Sequence, residues 1–83
     1  MTIICYIIST HYNTHYCGIT NNLLRRWKEH KAGKSSYLGR VKPKEVVFTI
    51  ELKDRSTAHK LEIKIKRFGV SKYIKYLKLN KII

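Results

Sequence analysis

The chain has 83 residues, enough for a single domain over residues 1–83 with a modest core. Lys and Arg number 18 against 5 Asp and Glu, a formal charge of +13, while 43% hydrophobic residues exclude a disordered charged tract. That excess repels itself in a compact state and points to a polyanionic partner, nucleic acid first and an anionic membrane surface second.

No apolar run approaches the ~18 residues of a transmembrane span. The opening stretch, MTIICYII, has no basic n-region and no small-residue cleavage site, so it reads as a strand rather than a leader. Cys5 and Cys17 are too few for a secreted disulfide framework and lack metal-ligand spacing. They behave as small hydrophobes, and the expectation is an intracellular, reduced protein with no membrane and no required protein partner.

Residues 3–9, IICYIIS, are β-branched and aromatic, as strands prefer. A polar turn, HYNTH, leads to a second short strand, YCGIT, so the two make a hairpin. Asn21 or Asn22 then caps a helix, LLRRWKEHKAG, which Gly33 stops. A Gly/Ser/Lys-rich loop reaches Pro43, and EVVFTIEL is a third strand. Asp54 and Ser56 signal the start of TAHKLEIKIKRF, a helix ending at Gly69, and Ser71 caps a last helix, KYIKYLKLN. The order ββαβαα predicts an α+β fold, a small antiparallel sheet flanked by helices.

On a wheel of 100° per residue, Leu23, Arg26, Trp27 and His30 share one side of the first helix. Arg25, Lys28 and Glu29 turn away. Leu23 and Trp27 must pack on the sheet, which leaves Arg26 and His30 at the margin of the buried face. An arginine there either lies its stem along the core edge or is aimed at a ligand. In the second long helix, Ala58, Leu61, Ile65 and Phe68 form the apolar stripe, with Glu62 beside it among Lys60, Lys64, Lys66 and Arg67. Glu62 is either an ordinary i,i+4 partner of Lys66 or a hard oxygen ligand for Mg²⁺ beside a phosphate-binding surface. In the hairpin, alternation puts Tyr6 on the face of Ile4 and Ile8, and Tyr16 on the face of Gly18. A glycine inside a strand marks close approach of another group. His11 and His15 lie in a turn without a third ligand, and His59 reads as a surface residue.

Together, CYI at 5–7, YCG at 16–18, RWKEH at 26–30 and LEIKIK around Glu62 resemble the GIY-YIG endonucleases, closest to small single-domain members. The resemblance implies a nuclease domain with a three-stranded antiparallel sheet. Tyr6 and Tyr16 would be the motif tyrosines, Arg26 the catalytic arginine, His30 its helical neighbour and Glu62 the ligand of one divalent cation, Mg²⁺ or Mn²⁺. Phosphodiester hydrolysis needs an activated water, charge stabilisation at the phosphoryl oxygens and help for the leaving oxygen. Tyr6, its pKa lowered by nearby cations, is expected to take the proton from water, with His30 or Tyr16 assisting. Cys5, Ile7 and Cys17 replace other letters of the motif at packing positions. An asparagine that many members carry after the glutamate has only Asn80 as a candidate and is not carried over.

The expected substrate is DNA, duplex or branched, with RNA kept open. Lys34, Arg40, Lys42, Lys64 and Lys66 are the expected phosphate contacts, and binding should be nearly sequence-blind. The alternative is a non-catalytic nucleic-acid-binding module on the same fold, although a pure binder would gain affinity by losing Glu62.

Overall fold

The computed structural model describes residues 2–33 and 42–82. Strands β1 (Ile3–Thr10), β2 (His15–Thr20) and β3 (Pro43–Leu52) form one antiparallel sheet in the order β2-β1-β3. Helices α1 (Leu23–Lys31), α2 (Arg55–Phe68) and α3 (Val70–Leu79) flank it, so the expected ββαβαα order and α+β class are observed.

The central strand explains its own sequence. A strand covered on one face alternates apolar and polar, but one covered on both reads as a continuous apolar run. In β1, Cys5 and Ile7 pack with Cys17 of β2, Ile65 of α2 and Ile74 and Leu77 of α3. Tyr6 and Ile8, facing the other way, pack with Leu23 and Trp27 of α1. Each fully buried side chain of this size contributes roughly 1.5–3 kcal/mol. β3 is a half-exposed edge strand, and Pro43 stands at its first position, where a missing N–H costs least. Cys5 and Cys17 are free, buried thiols with their Sγ atoms 3.9 Å apart, in keeping with their reading as small hydrophobes.

The β1–β2 hairpin is closed by Thr10, whose N–H donates to the Thr14 carbonyl at 3.0 Å and whose hydroxyl lies 2.7 Å from that of Thr14. Of the two candidate caps for α1, Asn22 fills the position: its side-chain oxygen accepts from the Arg25 N–H at 3.0 Å. α1 ends two residues before Gly33, whose φ of 79° turns the chain away. Asp54 caps α2 by accepting from the Thr57 N–H at 2.7 Å, which starts that helix earlier than expected.

Ser71 does not cap the last helix. Gly69, at φ 102°, ends α2 and begins α3 within one residue, so no separate cap is needed. Ser71 therefore sits in the first turn of α3. Its hydroxyl lies 2.9 Å from Nδ1 of His15, joining α3 to β2.

Candidate active site on the tyrosine face

Tyr6 of β1 stands directly opposite Gly18 of β2 in the sheet register. A Cβ on residue 18 would fall 2.7 Å from the Tyr6 hydroxyl oxygen, 2.9 Å from the ring carbon bearing it and 3.2 Å from the Tyr16 ring. The group that approaches this glycine is therefore the Tyr6 phenol, laid across the bare backbone of the neighbouring strand. Any larger residue at 18 would push Tyr6 aside.

Laid flat in this way, Tyr6 is 1% exposed, and its hydroxyl reaches Nε2 of His30 at 2.8 Å. His30 is not at the margin of the α1 face. It is fully buried at 0% exposure, because the Tyr6 hydroxyl gives its ring a polar partner inside the core. Half-buried Tyr16 completes the group, with its ring centroid 5.3 Å from that of His30 in an edge-on arrangement and 6.4 Å from that of Tyr6.

Arg26 lies one turn before His30, its side chain 36% exposed. Its guanidinium donates to the Glu29 carboxylate at 3.0 Å and interacts favourably with the Tyr6 and Tyr16 phenols. Glu29 thus does not turn away as the wheel suggested. At i,i+3 from Arg26 it is within side-chain reach, and it is the carboxylate that orients the guanidinium. The Glu29 hydrogen bond raises the Arg26 pKa further against the opposing effect of burial, and the two phenols add to the rise.

The same surroundings reverse the expectation for Tyr6. Burial pushes its pKa up to about 12, outweighing the opposing pull of Arg26. At neutral pH it is a phenol and not a phenolate. Burial first, and the Arg26 charge second, lower the His30 pKa to about 4, so its imidazole is neutral. In the neutral tautomer that carries its hydrogen on Nδ1, His30 accepts the phenolic hydrogen at Nε2. The result is a neutral hydrogen-bonded pair beside a fixed positive charge.

This pair sets an expected pH dependence of stability. The His30 pKa is lower in the folded chain than in the unfolded one, so the unfolded chain takes up its proton first as pH falls. The His30 contribution is fully present above about pH 6.5 and is lost as pH falls to about 4, a swing on the order of 3 kcal/mol. Urea unfolding between pH 7.5 and 4 should show this loss, and His30→Gln should flatten it. An equally steep loss in the variant would assign the effect to other groups.

Glu62 approaches from elsewhere. It belongs to α2, whose Leu61 and Ile65 pack on the Cys5, Ile7 and Cys17 face, opposite the face that carries Tyr6. Its side chain is 15% exposed, with one oxygen 3.2 Å from Lys66 Nζ and the other 3.4 Å from His59 Nδ1. The structure thus brings Tyr6, Tyr16, Arg26 and His30 into one cluster and sets Glu62 on a separate helix. Among the described residues, no group of three or more His, Cys, Asp or Glu side chains is arranged to hold a metal. Lys66 is committed to Glu62, Lys64 lines a groove between α2 and α3, and Lys42 is exposed beside β3. Lys34 and Arg40 lie outside the described residues.

Two partners escaped the sequence analysis, Glu29 for Arg26 and His59 for Glu62. Both stand three residues from the group they serve, and that spacing was the available signal.

Comparison with known proteins identifies the family of the chain. The sequence profile of the GIY-YIG catalytic domain matches residues 2–74, which takes in the tyrosine cluster and the helix bearing Glu62. The chain belongs to the GIY-YIG family. A relative from Citrobacter koseri, named only as a UPF0213 protein, is 38% identical over 75% of this chain and 63% of its own length. UPF0213 proteins from Yersinia pestis (strain Pestoides F) and Yersinia pseudotuberculosis (serotype O:3) are each 41% identical over 77% of this chain and 68% of their own length. This GIY-YIG chain therefore spans about two-thirds of the length of the curated relatives it matches. No solved structure matches it. The three-stranded antiparallel sheet with its helices is consistent with the GIY-YIG fold, and the family implies a nuclease with a nucleic-acid substrate. GIY-YIG nucleases are generally divalent-metal dependent. Among the described residues, no helix is long and apolar enough to cross a membrane.

Proposed function

We propose that this chain, acting as one nuclease domain inside the cell, is a divalent-metal-dependent endonuclease or nickase that hydrolyses phosphodiester bonds in DNA, duplex or branched. One observation carries the reading: the Arg26 guanidinium, paired with Glu29 at 3.0 Å, stands beside a buried, neutral Tyr6–His30 pair. A guanidinium fixed in this way can meet the charge that develops on a phosphoryl group without reorganising, an effect worth about 10²–10³ in rate.

The proton chemistry follows from the corrected protonation states. A phenol with a pKa of about 12 is no base at neutral pH. It can accept a proton from the attacking water only while passing its own hydrogen to His30 Nε2, 2.8 Å away. Water would lose a proton to the Tyr6 oxygen as the Tyr6 hydrogen moves to the imidazole. An arriving phosphate favours this transfer, since negative charge beside the cluster stabilises imidazolium and offsets the Arg26 repulsion that depresses its pKa. Tyr16, half-buried beside both rings, would help seat the phosphate.

The donor set suits a hard divalent cation. Glu62 offers one carboxylate, and a magnesium-type ion takes one or two carboxylates with the rest of its shell from water and phosphate. Lys66, its exposed partner, holds Glu62 through a surface ion pair worth about 0–1 kcal/mol and is readily displaced. A cation held by Glu62, Mg²⁺ or Mn²⁺, would supply Lewis-acid stabilisation to a phosphodiester that reaches from the Arg26 side of the sheet to α2.

The test is incubation with supercoiled plasmid and with branched oligonucleotides, in Mg²⁺, in Mn²⁺ and in chelator. Nicked or linear product with either metal and none in chelator is the expected result. Binding without cleavage under every condition would instead identify a non-catalytic nucleic-acid-binding module.

A further inference from the structure

On the face of the molecule opposite Tyr6, α2 and α3 enclose an open groove of about 430 Å³. Its lining is Leu61, Lys64, Phe68, Tyr73 and Tyr76. Core packing alone does not account for these rings, because Phe68 is 51% exposed and Tyr76 is 49% exposed. They are nonetheless held in place. Tyr73, half-buried, is braced edge-on by Phe48 at 6.0 Å, and Phe68 and Tyr76 contact it at 6.1 and 6.4 Å. Phe68 and Tyr76 also meet each other at 6.2 Å, with their planes inclined at 66°. Two half-exposed rings packed against Tyr73 thus border a concave, largely apolar slot.

The charge around the slot says what fills it. Lys64 is in its wall, and Lys60, Arg67, Lys72 and Lys75 are exposed on the same two helices. Glu62 is the only acid between Arg55 and Leu79. A second copy of a chain with a formal charge of +13 would bring like charge against like. A lipid surface would favour side chains that protrude, whereas these rings line a recess. A planar aromatic ligand attached to a chain of negative charges satisfies both features. Such a ligand is an unpaired nucleobase with its flanking phosphates.

The geometry points to this groove as a stacking site for an unpaired base of single-stranded nucleic acid, separate from the tyrosine cluster. The inference rests on the nuclease reading and extends it. The chain would hold a single-stranded segment on one face while presenting Arg26 to a phosphodiester on the other. Duplex DNA, with its bases stacked internally, would bind through phosphates alone.

The test measures the affinity of the full chain for a labelled single-stranded oligonucleotide and for its duplex, at several salt concentrations. Phe68→Ala and Tyr76→Ala should each weaken single-strand binding about tenfold, as loss of one base–aromatic stack does, and change duplex binding by less than about twofold. The salt slope should persist in both variants, since the phosphate contacts remain. Tyr76→Phe, which keeps the ring, should bind as wild type does, and the exposed Tyr12→Ala, outside the groove, should cost little. An abasic strand should bind wild type as weakly as the intact strand binds Phe68→Ala. Matched thermal melts of the variants establish that the fold is kept.

Equal losses on single strand and duplex, or no loss on single strands, would overturn the assignment. So would a wild-type dimer in sedimentation that Phe68→Ala dissociates, or capture by phosphatidylserine vesicles that depends on Phe68 while strand affinity does not. Plasmid nicking separates the two readings. If the wild type nicks plasmid but the variants bind single strands normally, only the groove assignment falls. If it neither binds nor nicks nucleic acid, the nuclease reading falls as well.

Discussion

Arg26→Ala is expected to slow strand cleavage by about 10²-fold or more, the usual cost of losing one fixed transition-state charge contact. Arg25→Ala should cost little. The two side chains are adjacent in sequence and identical in chemistry, so they form an internal control. Arg25 reaches Asn21 at the surface, 3.3 Å from its side-chain oxygen. Arg26 instead pairs with Glu29 at 3.0 Å beside the Tyr6 and Tyr16 phenols. Both variants lose one positive charge, so non-specific attraction to DNA falls equally, and a comparison of kcat removes it. Equal losses in kcat would show that the pair acts as surface charge, and the tyrosine cluster would then need another electrophile.

Glu62→Gln should abolish cleavage and leave DNA binding equal or tighter. The amide keeps the shape of the side chain and can still hydrogen-bond to Lys66 or His59, but it no longer provides the anionic oxygen that a hard cation requires. Removing a negative charge from a surface dense in lysine also removes a repulsion toward phosphate. The two readouts move in opposite directions, which distinguishes ligand loss from unfolding. Cleavage at the wild-type rate in Mg²⁺ would show that the cation is held by other atoms. Weaker binding together with lost cleavage would indicate damage to α2.

The elements were legible where local chemistry decides them. The β-branched run at 3–9 and the stop at Gly69 act within a few residues and appear where expected. Asn22 proves to be the cap among the two asparagines offered, and Asp54 starts α2 slightly early. The failures share a cause at longer range. Ser71 looked like a cap because its residue type is right, but Gly69 takes a left-handed conformation that joins α2 to α3 without one. His30 looked marginal on the wheel because its hydroxyl partner is 24 residues away on another element. Tyr6 looked acidified because cations are abundant in the sequence, yet its pKa is set first by burial, which the sequence does not display. Residue types in the tyrosine cluster were thus readable in advance. Their protonation states were not.

The central strand has a further consequence for how the chain is made. β1 is clad on one side by α1 and on the other by α2 and α3, and Tyr6 is placed only when Gly18 of β2 and His30 of α1 are both against it. Its positive charge, by contrast, belongs to the polypeptide in any conformation. On the proposed reading, a nascent or half-folded chain can adhere to nucleic acid but has nothing assembled with which to cut it. Cleavage becomes available only in the last cooperative step of folding.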